Sequence, residues 1–305
     1  MAIGKLAPSG PSEEGWSKAE AWNTCNQLYG YGQFLGIARS SKEAQARGLA
    51  IHQVIGQHYL RVKARQEGTD PDEWVPPERA VTTAIARGEM EPECMKWNDL
   101  AMTIYNVNFD PEQVAGPIVL GVEVPLGMTC GVLDVPGHPQ DGQPIVYEPR
   151  IDLLEQYKDG KVYATDFKSA SNYGIDTVEG YSMSGQFHGM QVLLDLHYGE
   201  AAGTSLLAVV ESTAPFKIQR PRLIAAPAAV KRFVARHVYR VHERARVELA
   251  VARGELDPWA LPATTVAHMC RHRYGRCHYY DLCARGPAAL KPAEKERLKG
   301  RKVQE

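Results

Sequence analysis

The stretch "RIDLLEQYKDGKVYATDFKSAS", residues 150–171, decides the fold. Apolar residues lie on both sides of Asp159-Gly160, the pattern of two strands closed by a tight turn. Three charges interrupt those runs: Asp152 on the first strand, Asp166 and Lys168 on the second. A buried charge is costly unless it is paired or holds a metal. Asp166 and Lys168 are two residues apart, so their side chains point to one face. If the two strands pair, Asp152 converges on the same point.

A third carboxylate lies upstream. Glu123, in "PIVLGVEVPLG" (117–127), stands between Val122 and Val124 on a further expected strand. Three carboxylates and a lysine suit a hard cation, Mg²⁺ or Mn²⁺. The lysine then holds a water or stabilises negative charge developing on phosphate. The plainer alternative is an exposed Asp166–Lys168 pair on an edge strand, with Asp152 in water.

The remaining pattern surrounds these strands with helices. Residues 41–68 place Ile51, Val54, Ile55, His58, Tyr59 and Val62 at helical spacing. A loop rich in Pro and Asp covers 68–78, and a second helical stretch runs over 78–107. Residues 127–144 read as a loop. A helix is expected over 178–199, with Met183, Phe187, Met190, Leu194 and His197 on one stripe. A strand follows over 204–213. A long basic helix over 226–254 carries Val230, Phe233, His237, Val241 and Ala245. This order gives an α/β fold with a mixed central sheet flanked by helices, rather than a succession of βαβ units.

The hydrophobic fraction of 44% is enough for a sizeable core. No apolar run is long enough for a membrane span, and the first 16 residues lack a secretory pattern. An intracellular, cytoplasmic protein with no membrane partner is expected. The net charge of −1 hides an asymmetry. From Lys217 onward there are 20 Lys and Arg against 8 Asp and Glu; the first 216 residues hold 15 against 28. A basic third beside an acidic remainder suits a polyanion, though solvated helix faces give the same count.

Six cysteines in a reducing compartment do not suggest a disulfide framework. Cys270, Cys277 and Cys283 form a C-x6-C-x5-C array, and Cys25 stands far upstream. Four thiolates are enough for a [4Fe–4S] cluster. Zn²⁺ on four thiolates, or on three with His272 or His278, is an alternative, as are buried thiols. Cys94 and Cys130 lack neighbours at ligand spacing and read as core residues. Arg271, Arg273 and Arg276 interleave with Tyr274, Tyr279 and Tyr280. That mixture suits a DNA strand, phosphates on Arg and bases on rings, or tyrosines packed around the cluster.

The series Gly48/His52, Glu123, Asp152, Asp166/Lys168, Gln186 resembles the PD-(D/E)xK nucleases. "RID" and "DFK" look like its Asp and Asp-x-Lys motifs. "GLAIHQVIG" is similar to the Gly-x-x-x-His helix of the RecB-like branch. "SGQFHGMQVLL" is similar to its Gln-x-x-x-Tyr helix, with Met190 in place of the tyrosine. Pro149 stands where the family often has Gly. The cysteine layout is similar to the iron–sulfur subgroup, which includes AddB-type subunits and four-cysteine CRISPR-associated nucleases, beside phage RecB-like exonucleases.

The resemblance implies a restriction-endonuclease-like core spanning 17–285, with a loose segment 1–16 and a mobile basic tail 286–305. The cluster would join Cys25 to residues 270–283. His52, Asp152, Asp166 and the Phe167 carbonyl would hold Mg²⁺ or Mn²⁺. Glu123 would be an accessory ligand, Lys168 would position and activate water, and Gln186 would complete the site. The implied activity is metal-dependent DNA cleavage, exonucleolytic on single-stranded ends, in recombination, repair or phage DNA processing. A DNA-trimming subunit of a larger complex and a non-catalytic iron–sulfur DNA-binding module are the alternatives. No G-x-x-x-x-G-K-[ST] motif occurs, so unwinding would come from a recombination, helicase or CRISPR-type partner.

Overall fold

Five strands in the order β1-β4-β5-β6-β7 form the main sheet of the computed structural model. It describes residues 22–23, 25–35, 37, 43–69, 75–110, 116–170, 175–182, 184–223, 225, 227–262, 271–272, 275–276, 279–290, 292 and 295. The helices are α1 (Asn26–Gln33), α2 (Glu43–Glu67), α3 (Pro77–Ala86), α4 (Asn98–Asn108), α5 (Ile175–Ser182), α6 (Gly185–Tyr198), α7 (Pro227–Ala252) and α8 (Tyr280–Arg285). The strands are β1 (Ile118–Pro125), β2 (Met128–Val132), β3 (Pro144–Tyr147), β4 (Arg150–Gln156), β5 (Val162–Ala170), β6 (Ala202–Glu211), β7 (Ile218–Gln219), β8 (Arg271–His272) and β9 (Gly275–Arg276).

The chain groups into two units. The first holds residues 42–129 and 146–236. Its sheet is mixed: β1, β4 and β5 run antiparallel, β6 is parallel to β5, and β7 is antiparallel to β6. The expected α/β fold with a mixed, helix-flanked sheet is therefore what the chain forms. The hairpin closes at Asp159-Gly160, where Gly160 takes φ 76°, a value that costs a glycine little.

Alternation along β4 and β5 sends one set of side chains to each face. Leu153 and Phe167 join Ala46, Ala50, Ile51, Val54 and Ile55 of α2 in one apolar cluster, with Val81 of α3 and Ile104 of α4. On the other face α6 buries Phe187, Met190, Leu193 and Leu194. Gln191 of α6 clamps the start of β6, donating to the Gly203 carbonyl and accepting from Ser205 N.

Glu155 also points to the α2 face and is 2% exposed. The Arg220 guanidinium binds both its oxygens, at 3.0 and 3.3 Å, and also the Tyr59 hydroxyl. Its central carbon lies over the Tyr59 and Phe167 rings, 5.5 and 5.8 Å from their centres. The pair ties β4 to the chain beyond β7.

The second unit holds residues 17–41, 130–145 and 237–305. Trp22, Tyr29, Phe34 and Val247 form one apolar cluster; Leu133, Val135, Ile145 and Ala245 form another. Glu248 gathers Tyr29, His138 and Arg244. Cys94 is buried in the first unit and Cys130 is half-buried in the second, both within apolar clusters.

The elements differ from the sequence pattern at chain breaks. Residues 127–144, expected as a loop, contain β2 and the start of β3, which pair in a two-stranded sheet. Between β3 and β4 the chain breaks at Pro149, which has no amide hydrogen to offer a ladder. The helix expected over 178–199 is two helices, α6 starting afresh at the Ser184 cap, whose hydroxyl accepts from Gln186 N. The 78–107 stretch divides at Gly88, φ 71°, into α3, a 3-10 turn over Pro92–Trp97 and α4. Residues 1–16 and most of 286–305 lie outside the described residues. Among the described residues no helix is long and apolar enough to cross a membrane.

Arg220→Met leaves the buried Glu155 carboxylate without its counter-charge. The expected loss is about 3 kcal/mol of unfolding free energy by urea titration, and the double variant with Glu155→Met recovers most of it.

Candidate metal centre

The β4–β5 ladder ends at Leu153–Thr165. Beyond it the strands part, and a side chain takes over the backbone pairing: Asp152 Oδ2 accepts from Phe167 N at 2.7 Å. That carboxylate thus sits in the gap between the strands rather than on one face. His52, from α2, reaches the same gap. Its Nδ1 lies 3.6 Å from Asp152 Oδ2, and its Nε2 meets the Phe167 carbonyl at 2.5 Å. A carbonyl oxygen only accepts, so Nε2 donates here; a cation held by both would take that proton's place.

Glu123 arrives from β1. Its neighbours pair as Val122 with Leu153 and Val124 with Ile151, which sets it opposite Asp152. Glu123 takes φ 51°, an uncommon value for a residue with a side chain. Such strain persists only where the surroundings hold it, and it gathers at functional sites. One ligand atom from each of His52, Glu123 and Asp152 lies within 4.8 Å of the others. A small divalent cation with bonds of about 2.1 Å needs ligands about 3 to 4 Å apart, so modest side-chain motion makes this trio a ligand set.

Asp166 and Lys168 lie beside the trio. Lys168 Nζ is 2.6 Å from Asp166 Oδ2. The other oxygen, Oδ1, accepts from Gln186 Nε2 at 2.6 Å. Gln186 gains that reach from the break before α6, which puts it in the first turn of a new helix. Asp166, expected as a direct ligand, meets Lys168 and Gln186, and Glu123, expected as an accessory ligand, lies with His52 and Asp152. Gly48 faces Ser169 Oγ of β5, but a Cβ there would meet it at 3.5 Å, an ordinary contact.

Burial pushes the Glu123 carboxyl up to about 8, with Asp152 and Asp166 adding repulsion and Arg150 and Lys168 opposing it. Burial also raises Asp166, against the pull of Lys168. Burial alone would lower Lys168, yet Asp166 and Asp152 outweigh it and the ammonium is held above its usual range. Lys168 therefore donates at neutral pH and does not take protons. Sequence reasoning missed one feature. Arg150, two residues before Asp152, opposes the rise of the Glu123 carboxyl. Met190, where the resemblance expects tyrosine, is buried in the core.

The other sequence-predicted residues belong to the second unit. Cys25 precedes α1, and Cys283, on α8, donates from Sγ to Gln27 Oε1 at 3.4 Å. Cys270 and Cys277 lie outside the described residues, as does Arg273. Arg271 and Arg276 pair through their backbones on β8 and β9, and Tyr280 opens α8; their side chains are not among those described. Tyr279 is 2% exposed, packs against Tyr31 and donates to the Ile37 carbonyl at 2.8 Å. Its ring is engaged in the core, which removes it from the bases it was expected to stack upon.

The raised Glu123 and Asp166 groups bind protons more tightly folded than unfolded. They therefore favour folding at low pH and cost stability as pH rises. In EDTA the unfolding midpoint should fall between pH 4.5 and about 8, and Glu123→Gln should flatten that fall. A midpoint equally steep in the variant would mean Glu123 ionises freely.

No protein-family model matches the chain, and no curated protein matches it. Among solved structures the chain is similar to the crystal structure of a candidate exonuclease from Eubacterium rectale. The two share 15% identity over 92% of this chain and 90% of that one, with a TM-score of 0.42.

Proposed function

We infer that this chain is a metal-dependent DNA nuclease of the PD-(D/E)xK type. The observation that carries the reading is the convergence of His52, Glu123 and Asp152 within 4.8 Å, beside an Asp166–Lys168 pair at 2.6 Å. Their order along the chain is that of the resemblance, and their place at the parting of two antiparallel strands brings them together.

His52, Glu123, Asp152 and the Phe167 carbonyl are the residues that would hold Mg²⁺ or Mn²⁺, with Asp166 at its edge. The bound cation supplies a Lewis acid for the phosphate and lowers the pKa of water. Lys168 holds its ammonium toward the site, where it orients a water and meets negative charge developing on phosphate. Gln186 fixes Asp166 by its amide, so that one Asp166 oxygen is kept on Lys168. The reaction is attack of water on phosphorus with departure of a sugar oxygen. Single-stranded ends and exonucleolytic release are the substrate and mode that the resemblance favours.

A [4Fe–4S] cluster on Cys25, Cys270, Cys277 and Cys283 belongs to the same reading. Its support is the approach of the chain on either side: Gln27, two residues after Cys25, accepts from Cys283. The cluster would close a long loop, limiting unfolded-state freedom. Anaerobically purified protein is expected to carry about four iron and four sulfide per chain, and Cys283→Ser to lose them. Colourless protein with one zinc overturns the cluster and leaves the nuclease standing.

Cleavage of end-labelled single-stranded DNA with Mg²⁺, Mn²⁺ or EDTA tests the activity. Wild type should cleave only with metal, and Lys168→Ala should be slower by about 10² to 10³. Equal rates for the two would place the chemistry elsewhere.

A further inference from the structure

The basic helix noted in the sequence is left unused by the metal centre. From Pro227 to His242 it contains four cations and no carboxylate. Lys231, Arg232 and Arg236 are all exposed. Among the described residues none of the three is paired with an acid; Arg232 Nε donates only to the Ala228 carbonyl. Arg232 and Arg236 are one helical turn apart and stand in a row.

The adjoining side of the helix is anchored within the first unit. Phe233 is buried and packs edge-on against Tyr147 at 5.0 Å. The Tyr147 ring lies against Gly189 of α6, where a Cβ would come within 2.4 Å of its hydroxyl. Gly189 therefore admits the ring that joins the two helices. Gly189 is three residues from Gln186, which holds Asp166. The helix that bears the cations is thus packed, through Tyr147, against the helix that reaches the metal centre.

We propose that the exposed face of α7 at Lys231, Arg232 and Arg236 binds the phosphate backbone of a single DNA strand and leads it to the metal centre. This rests on the nuclease reading and names the surface that reading lacks. Helical cations with no acid between them suit a polyanion; a merely solvated face would gain from alternating signs, which this stretch lacks.

The test is fluorescence anisotropy of labelled single-stranded DNA in EDTA, over a salt series. Arg232→Glu/Arg236→Glu should weaken binding about tenfold or more. It should also reduce the magnitude of the salt slope by about 1.4, two phosphate contacts. Lys158→Glu/Lys161→Glu makes the same charge change on the β4–β5 turn and should leave the slope alone. Circular dichroism melts of both variants exclude unfolding as the cause. An unchanged slope, an equal loss in the turn variant, or a loss seen with duplex but not with single strand overturns the proposal. Wild type that binds the strand through these residues but never cleaves with metal would sink the nuclease reading alone. Wild type that cleaves while the helix variant binds normally would sink this inference alone.

Discussion

The bond from Phe167 N to Asp152 Oδ2 is the interaction on which the site depends. It occurs where the β4–β5 ladder stops, and an unmet amide at that point would be costly. A carboxylate replaces the missing strand carbonyl. The parted strands leave an opening into which a helix side chain, His52, and an edge-strand side chain, Glu123, can both extend. Without the parting, His52 would face the apolar α2 side alone and the carboxylates the other.

Gathering like charges there has an electrostatic cost that the surroundings only partly offset. Glu123 and Asp166 are both raised by burial, and Lys168 is the cation that holds Asp166 in check. An arrangement that keeps carboxylates close in a half-buried opening is poorly explained by stability. A divalent cation, as in the function proposed above, would reverse the sign of the problem. The positive φ of Glu123 is a second local cost at the same place.

On the other face of the sheet a buried charge has a different solution. Glu155 sits three residues from Asp152 on the same strand, yet its partner is Arg220, bound through both oxygens and lying over two rings. That pair is closed within itself and holds the sheet. The Asp152 group is open toward further ligands. Two acids on one strand thus differ in role through what the tertiary structure brings to each.

Much of this was legible in the chain. The Asp159-Gly160 turn, the alternation around it and the period of residues 41–68 determined the hairpin, the long helix and the mixed α/β class, because those signals are local. Asp152, Asp166 and Lys168 were visible as charges in apolar runs. The break before α6 was legible only in hindsight, from Ser184 and Gly185 within a pattern that otherwise reads as one helix. Tertiary structure alone decided how the acids stand around His52. The sequence placed Asp152 and Asp166 together as ligands with Glu123 as an accessory; the end of the ladder put Asp152 in the gap and the β1 register put Glu123 opposite it. Tertiary structure also decided that Tyr279 is a core residue, since a tyrosine beside arginines reads alike whether it packs or lies exposed. Periodicity reports which side of an element a residue occupies; where two strands stop pairing, and what then enters, depends on contacts between residues far apart in the chain.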